Sequence, residues 1–345
     1  ARFAAADFGL LLRCQDAQSC EKRIKKLLAE LTGIPNDRII SFHAGIYMIS
    51  PSARHQKSAE SVQPRRQLDV NQLYHYANAA RESLPEKDTK HIKLFDDEIL
   101  QEQLWKRKVE DMMEPALLNR EFQIYLQPKY NPISQKIVSA EALVRWISPT
   151  DGLIPPGRFI PIFEDNGFIT RLDDYMIGAV AKLQSEWKIQ GKKSVPVSVN
   201  VSRANFTKEN LADHICQLID SYGADHTLIE LEVTESAFFG DKEMLQKIIR
   251  ELKSYGFRIS MDDFGAGYSS LNSLKDLPVD VLKMDMDFFR GEDTKKRGEI
   301  VVKETIRLAK ALKMQIVAEG IERKEQVEFL AAEGCDMIQG YYFAK

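Results

Sequence analysis

The chain has 345 residues, 44% of them hydrophobic and 29% charged, with a net charge of −3. That length accommodates two domains, or one large barrel with an appendage, around a sizeable core. Charges of both signs are interspersed, so no basic field points to duplex nucleic acid, and no apolar run approaches the ~20 residues of a membrane span.

In chain order, residues 1–95 read as a small α/β piece. Phe8–Leu12 is expected to be a strand, Ser19–Leu31 an amphipathic helix, and Arg38–Ile49 a second strand with alternating apolar residues. Ser50–Gln67, polar with Pro51 and Pro64, reads as an exposed loop. Val70–Ser83 reads as a helix and His91–Phe95 as a short strand. A charged connecting helix, 96–120, follows. Pro115 should kink or restart it, because proline lacks the amide donor and crowds the preceding turn.

From Glu121 the pattern alternates strand and helix. The strands predicted are Phe122–Tyr130, Lys136–Trp146, Val195–Val199, Leu228–Val233, Phe257–Met261, Val279–Met284, Met314–Ala318 and Met337–Tyr341. Helices are predicted over Tyr175–Gln190, Lys208–Tyr222, Lys242–Tyr255, Gly298–Leu312 and Lys324–Glu333, with Gly223, Gly256 and Gly334 placed as C-caps. This succession predicts an α/β fold, a modified (β/α)8 TIM-like barrel over 121–345. The turn Asn131–Gln135 is too short for a helical crossover, so the first barrel strand should be antiparallel to the second.

In such a barrel the chemistry gathers where strands end. Those ends carry Glu141-Ala-Leu-Val-Arg145, Asn200-Val-Ser202, Glu232-Val-Thr-Glu235, Asp262-Asp263, Lys283-Met-Asp285, Glu319-Gly-Ile-Glu322 and Gln339-Gly-Tyr341. Gly265 and Gly267, just after the paired aspartates, allow a tight loop. Converging carboxylates repel one another unless cations or protons compensate. The four cysteines (Cys14, Cys20, Cys216, Cys335) form no CxxC pair and the six histidines no HExxH, so they read as reduced thiols of a cytoplasmic protein, neither a disulfide framework nor a zinc site. All-oxygen ligation points to magnesium or manganese, and this many acids suit two ions, which can activate a water at a phosphoryl centre. A lysine among the acids suits a general base or a clamp on that water, and Arg145 offers a planar fork for phosphate. A glycosidase, with two carboxylates on a barrel rim, is the competing reading, and it leaves Asn200, Lys283 and the paired aspartates unexplained.

At these residues the sequence resembles the EAL family of bacterial cyclic-di-GMP phosphodiesterases. The resemblance runs from about Leu100 to the end and rests on Glu141-Ala-Leu143, Gln127-Pro128, Asn200-Val-Ser202, Glu232-Val-Thr-Glu235, Asp262-Asp-Phe-Gly-Ala-Gly-Tyr-Ser-Ser270, Leu282-Lys-Met-Asp285, Ala318-Glu-Gly-Ile-Glu322 and Gln339-Gly-Tyr-Tyr342. It implies that Glu141, Asn200, Glu232 and Asp262 bind one metal, with Asp262 shared by a second that Asp263 helps to hold. It further implies that Lys283 and Glu319 position or deprotonate the attacking water, that Gln339 assists, and that Arg145 and Gln127 meet the substrate. Glu235 resembles the glutamate that braces the loop Asp263–Ser270, often found at a homodimer contact. The implied reaction opens one phosphodiester of cyclic-di-GMP to give linear pGpG; the alternative is a non-catalytic receptor signalling through the connecting helix. One departure is Phe163-Glu164, where Ala-Glu is usual.

Residues 1–95 resemble the second half of a GGDEF domain, the diguanylate cyclase fold, with Ala4-Ala-Ala-Asp-Phe8 at the signature. Alanines replace its flexible glycines and an acidic residue, which implies a cyclase-dead, regulatory domain.

Overall fold

The structure, a computed structural model, describes residues 8–32, 42–49, 69–84, 91–234, 237, 242–265, 274, 278–285 and 295–344. The chain divides into two units, residues 1–111 and 112–345.

In the first unit, helices α1 (Ala17–Thr32) and α2 (Val70–Glu82) accompany strands β1 (Ala44–Ile46) and β2 (Ile92–Leu94), which pair in parallel with Ala44 opposite Ile92. Local chemistry starts both helices. Asp16 accepts from Ser19 N at 2.7 Å ahead of α1, and Asp69 accepts from Asn71 N at 2.9 Å ahead of α2. Cys20 and Ile24, one turn apart on α1, pack with Ile46 and Ile92. Glycine is required at position 45, because a Cβ there would stand 1.8 Å from Ala77 O: the backbones of β1 and α2 touch.

Two expectations for this unit are corrected. Phe8–Leu12 is not a strand: Phe8 makes an isolated bridge, Leu10 and Leu11 are exposed, and Leu12 alone packs on the core cluster of Cys20, Ile24, Ile46 and Ile92. Of Arg38–Ile49, only Ala44–Ile46 is strand within the described part. The Ser50–Gln67 loop and Ala4–Asp7 lie outside the described residues.

Helix α3 (Asp97–Leu118) runs through Pro115 without restarting. The proline deprives Asp111 of its intrahelical donor, but both residues are exposed, so water can satisfy that carbonyl.

In the second unit, β3 (Phe122–Tyr130), β4 (Ile137–Ser148), β6 (Val197–Asn200), β7 (Ile229–Thr234), β8 (Arg258–Phe264), β9 (Val281–Met284), β10 (Gln315–Ala318) and β11 (Met337–Ile338) close into a barrel, and β5 (Gly152–Ile154) hangs on the outer edge of β4. Strand β3 is antiparallel to β4 and β11, as the short connection requires, while β4 and the strands from β6 to β11 are parallel. Asn131 makes that connection, its Oδ1 accepting from Ile133 N at 3.1 Å and Ser134 N at 2.8 Å.

Helices α4 (Ile160–Asn166), α5 (Ile169–Ile189), α6 (Leu211–Asp220), α7 (Lys242–Ser254), α8 (Lys295–Ala311) and α9 (Lys324–Ala332) accompany the strands. On α7, Leu245, Ile248, Ile249 and Leu252 are buried at the spacing of one helical face. The predicted capping glycines adopt positive φ, 66° at Gly223, 96° at Gly256 and 82° at Gly334. Phe163 fills an aromatic cluster with Phe122, Trp146, Phe159 and Phe168, which accounts for the large residue there.

Candidate active site

Side chains alternate across a strand, so each barrel strand sends every second residue inward. On β7, Leu231 and Val233 serve the outer core while Glu230 and Glu232 meet the interior lysines described below. Glu141 stands within β4, Asn200, Asp262 and Lys283 stand at or near the C-terminal ends of β6, β8 and β9, Gln339 lies just beyond β11, and Glu319 follows β10.

Lys283 is the hub. Its Nζ lies 2.7 Å from Glu232 Oε2, 2.9 Å from Glu319 Oε1, 3.0 Å from Asp262 Oδ1 and 3.4 Å from Glu141 Oε2. Gln339 Nε2 donates to Glu141 Oε2 at 2.7 Å and to Gln127 Oε1 at 2.8 Å, and Asn200 Nδ2 donates to Glu141 Oε1 at 3.2 Å. Oxygens of Glu141, Glu232 and Asp262 fall within 4.8 Å of one another.

A second buried lysine, Lys129 on β3, lies beneath. Its Nζ donates to Glu232 Oε1 and Ser198 Oγ, both at 2.8 Å, and stands 3.6 Å from Glu230 Oε1. Sequence reasoning missed it. The available signal was its position two residues after Gln127, on the same inward face.

The electrostatics follow from burial. Burial opposes ionisation of Glu232, yet Lys129 and Lys283, each hydrogen-bonded to one of its oxygens, hold it well below the usual carboxylate range. Burial raises Glu141 and Asp262 above their ordinary values, with Glu232 repelling both, and Glu319 is pushed up to about 8 against the pull of Lys283. Burial works against the Lys283 ammonium too, but the carboxylates outweigh it and keep the amine well above the ordinary lysine value. In this arrangement Lys283 is a proton-holding clamp; the surrounding acids oppose its use as a base.

The paired aspartates diverge. Strand β8 bulges between Met261 and Phe264, Asp263 takes φ 58°, and its N–H donates to Asp262 Oδ1 at 2.9 Å. Asp262 turns into the barrel while Asp263 is exposed at the rim, outside the close carboxylate triple. Arg145 also stands outside the cleft lining. Its Nη1 donates to Val144 O at 3.0 Å, and its guanidinium lies 5.8 Å from the Tyr125 ring centroid. Glu235 lies outside the described residues.

Above the cluster opens a cleft of about 410 Å³, with Gln127, Glu141, Asp262, Lys283, Glu319 and Gln339 at its base. Leu143 and Tyr341 supply apolar wall, and Asp285 and Glu322 add further acids. The donors suit a hard divalent cation: they are carboxylate and amide oxygens, several carboxylates share one ammonium, and buried Gln339 Oε1 accepts from no partner among the described residues. Asn200 would have to turn its amide over to offer oxygen.

Fold and site define a class: a (β/α)8 barrel with one reversed strand and a buried acidic mouth suited to divalent cations. More narrowly, the chain belongs to the EAL domain family, whose pattern matches residues 110–345. It is 31% identical to the signaling protein YkoW of Bacillus subtilis, over 83% of this chain and 36% of that protein. It is also 31% identical to the cyclic di-GMP phosphodiesterase NbdA of Pseudomonas aeruginosa, over 74% of this chain and 33% of that one. The chain thus spans about a third of the length of these relatives. Among solved structures, the PaMucR phosphodiesterase in complex with c-di-GMP superposes with a TM-score of 0.65 at 32% identity, covering 69% of this chain and 96% of that one.

Proposed function

We propose that this chain is a divalent-cation-dependent phosphodiesterase that opens one phosphodiester of cyclic-di-GMP to give linear pGpG. The observation that carries the reading is Lys283 held among Glu141, Glu232, Asp262 and Glu319 beneath an open cleft. Family membership and the relatives' activity support it.

Glu141, Asn200, Glu232 and Asp262 would hold one magnesium or manganese ion, and Asp262 with Asp263 a second. Such ions, when bound, supply a low-pKa water and offset phosphoryl charge. Glu319, whose carboxyl holds a proton up to about pH 8 in the cation-free site, stands 2.9 Å from Lys283, and the two orient the attacking water between them. Gln339 Oε1, an acceptor with no partner among the described residues, accepts from that water, while Gln127 fixes the Gln339 amide. Arg145 swings from Val144 O to a substrate phosphate, and the exposed Tyr341 ring offers a face for a guanine. Glu235 braces the loop Asp263–Ser270, which serves a homodimer contact. Residues 1–95 act as a cyclase-dead GGDEF-like regulator joined through 96–120, and the free cysteines suit a cytoplasmic setting.

Chromatography of cyclic-di-GMP incubated with the chain and Mg²⁺ or Mn²⁺ tests the proposal. We expect pGpG, abolished by EDTA. No product at micromolar enzyme overturns it, and tight binding without hydrolysis would establish the receptor alternative instead.

A further inference from the structure

At the end of the barrel opposite the mouth, just before β7, three side chains of different chemistry meet. Cys216 and Asp220 stand four residues apart on α6, hence on one face, and His226 opens the short turn His226–Leu228 that leads into β7. Cys216 Sγ lies 3.5 Å from Asp220 Oδ2, His226 Nε2 lies 2.9 Å from Asp220 Oδ1, and one donor atom from each falls within 4.8 Å of the others. The imidazole is held from two more sides. Its Nδ1 lies 2.7 Å from Tyr255 O, and its ring stacks on Phe257 with centroids 4.4 Å apart. Asp225 fixes the turn by accepting from Thr227 N at 2.9 Å and Thr227 Oγ1 at 2.7 Å.

The Tyr255 carbonyl and the Asp220 carboxylate offer only acceptor oxygens, one to each ring nitrogen, so the ring is held edge-on with Nε2 aimed at the carboxylate and at the space it shares with Cys216. A backbone carbonyl holding one ring nitrogen while the other points at the ion is how metal-bound histidines are commonly oriented.

We infer that Cys216, Asp220 and His226 form a binding site for a zinc-class divalent cation, with a fourth position open to solvent. Thiolate, imidazole and carboxylate together suit Zn²⁺ and disfavour Mg²⁺. Tetrahedral coordination at usual bond lengths separates donor atoms by roughly 3.4–3.6 Å, so small side-chain rotations complete the site. Asp220 is 62% exposed, which leaves an entry path. On binding, the ion takes the place of the Cys216 thiol proton. Binding would tie the end of α6 to the strand that carries Glu230 and Glu232, away from the carboxylate mouth.

The test is a Co²⁺ titration of the whole chain, read by near-ultraviolet thiolate-to-cobalt charge-transfer absorption. We expect a saturable band, displaced by Zn²⁺ and absent from Cys216→Ser, and a Zn²⁺ affinity weakened at least about tenfold in His226→Gln. Zn²⁺, but not Mg²⁺, should also shield Cys216 of the native chain from alkylation, measured by peptide mapping; this needs no variant to fold. The mouth has no thiolate and is silent in both readouts. No band in the native chain, a band that persists in Cys216→Ser, or alkylation of Cys216 indifferent to Zn²⁺ overturns the inference.

Discussion

Lys129 shows how one side chain can hold a barrel interior together. Its fully buried ammonium compensates Glu232 and Glu230, and burial, which opposes its charge, is outweighed by those acids so that its pKa is raised. Removing one partner of a buried pair leaves the other charge uncompensated. Lys129→Met should therefore cost about 3–5 kcal/mol in urea unfolding, and Glu230→Gln added to it should recover part. A loss under about 1 kcal/mol, as exposed pairs give, would contradict that account. Asp173 on α5 makes the opposite case. Its Oδ2 accepts from Ser202 N at 2.8 Å and Asn205 Nδ2 at 2.7 Å, bracing the loop after Asn200, while burial pushes the carboxyl from 3.8 to about 6. A group with a raised folded-state pKa contributes its full stability below the unfolded value and loses it as pH climbs through the folded one. This carboxyl should then cost about 3 kcal/mol of stability between pH ~4 and ~6. Asp173→Asn keeps an oxygen for both donors, so its stability relative to the native chain should rise across that window and level off above it. Urea midpoints at stepped pH read this directly. Most of the acids and amides at the mouth were legible because they follow apolar strand runs; Lys129 and Asp173 were not, because one lies near the end of the reversed strand, away from the mouth, and the other within a helix, where a charged residue ordinarily faces water.

At the scale of elements, legibility followed hydrophobic period. Strand β3 starts and stops at the predicted residues, and α7 and α9 begin where predicted. Phe8–Leu12 failed as a strand because its apolar residues do not alternate in burial: Leu10 and Leu11 are both exposed, and Leu12 packs on the core cluster. Pro115 failed as a break because exposure lets water replace the lost helix bond. The last strand is shorter than its sequence suggests: pairing ends at Ile338, and the chain turns at Gly340, where φ is 151°. A Cβ on Gly340 would stand 2.2 Å from Ile321 N and 2.4 Å from Ile321 O, atoms of a backbone that cannot yield as a side-chain tip could. Gly340→Ala should cost about 1–3 kcal/mol and, by shifting the adjacent Gln339, lower pGpG formation more than it lowers substrate affinity. Thermal melts and a kcat-against-KM comparison check the two halves, and an unperturbed melt would contradict the close approach.

Across the whole chain the net charge is only −3, yet acids concentrate at the barrel mouth, where Glu141, Glu232, Asp262 and Glu319 share Lys283. That excess should make the second unit respond to cations and to pH together. Below about 8 the Glu319 carboxyl holds its proton in the cation-free site, whereas a divalent ion nearby favours the ionised form. Binding Mg²⁺ or Mn²⁺ at neutral pH should therefore release protons, and apparent affinity should climb with pH until about 8 and flatten beyond it. Calorimetry in two buffers of different ionisation enthalpy counts the protons released. In Cys216→Ser, where the thiol ligand of the inferred zinc-class site is gone, the signal comes from the mouth. Saturating Mn²⁺ at ~100 times its dissociation constant should add about 2.7 kcal/mol to stability, and Glu141→Ala should remove most of that gain along with turnover. A proton count near zero across this range would mean that Glu319 already stands ionised beside Lys283, and the division of roles between the two would have to be redrawn.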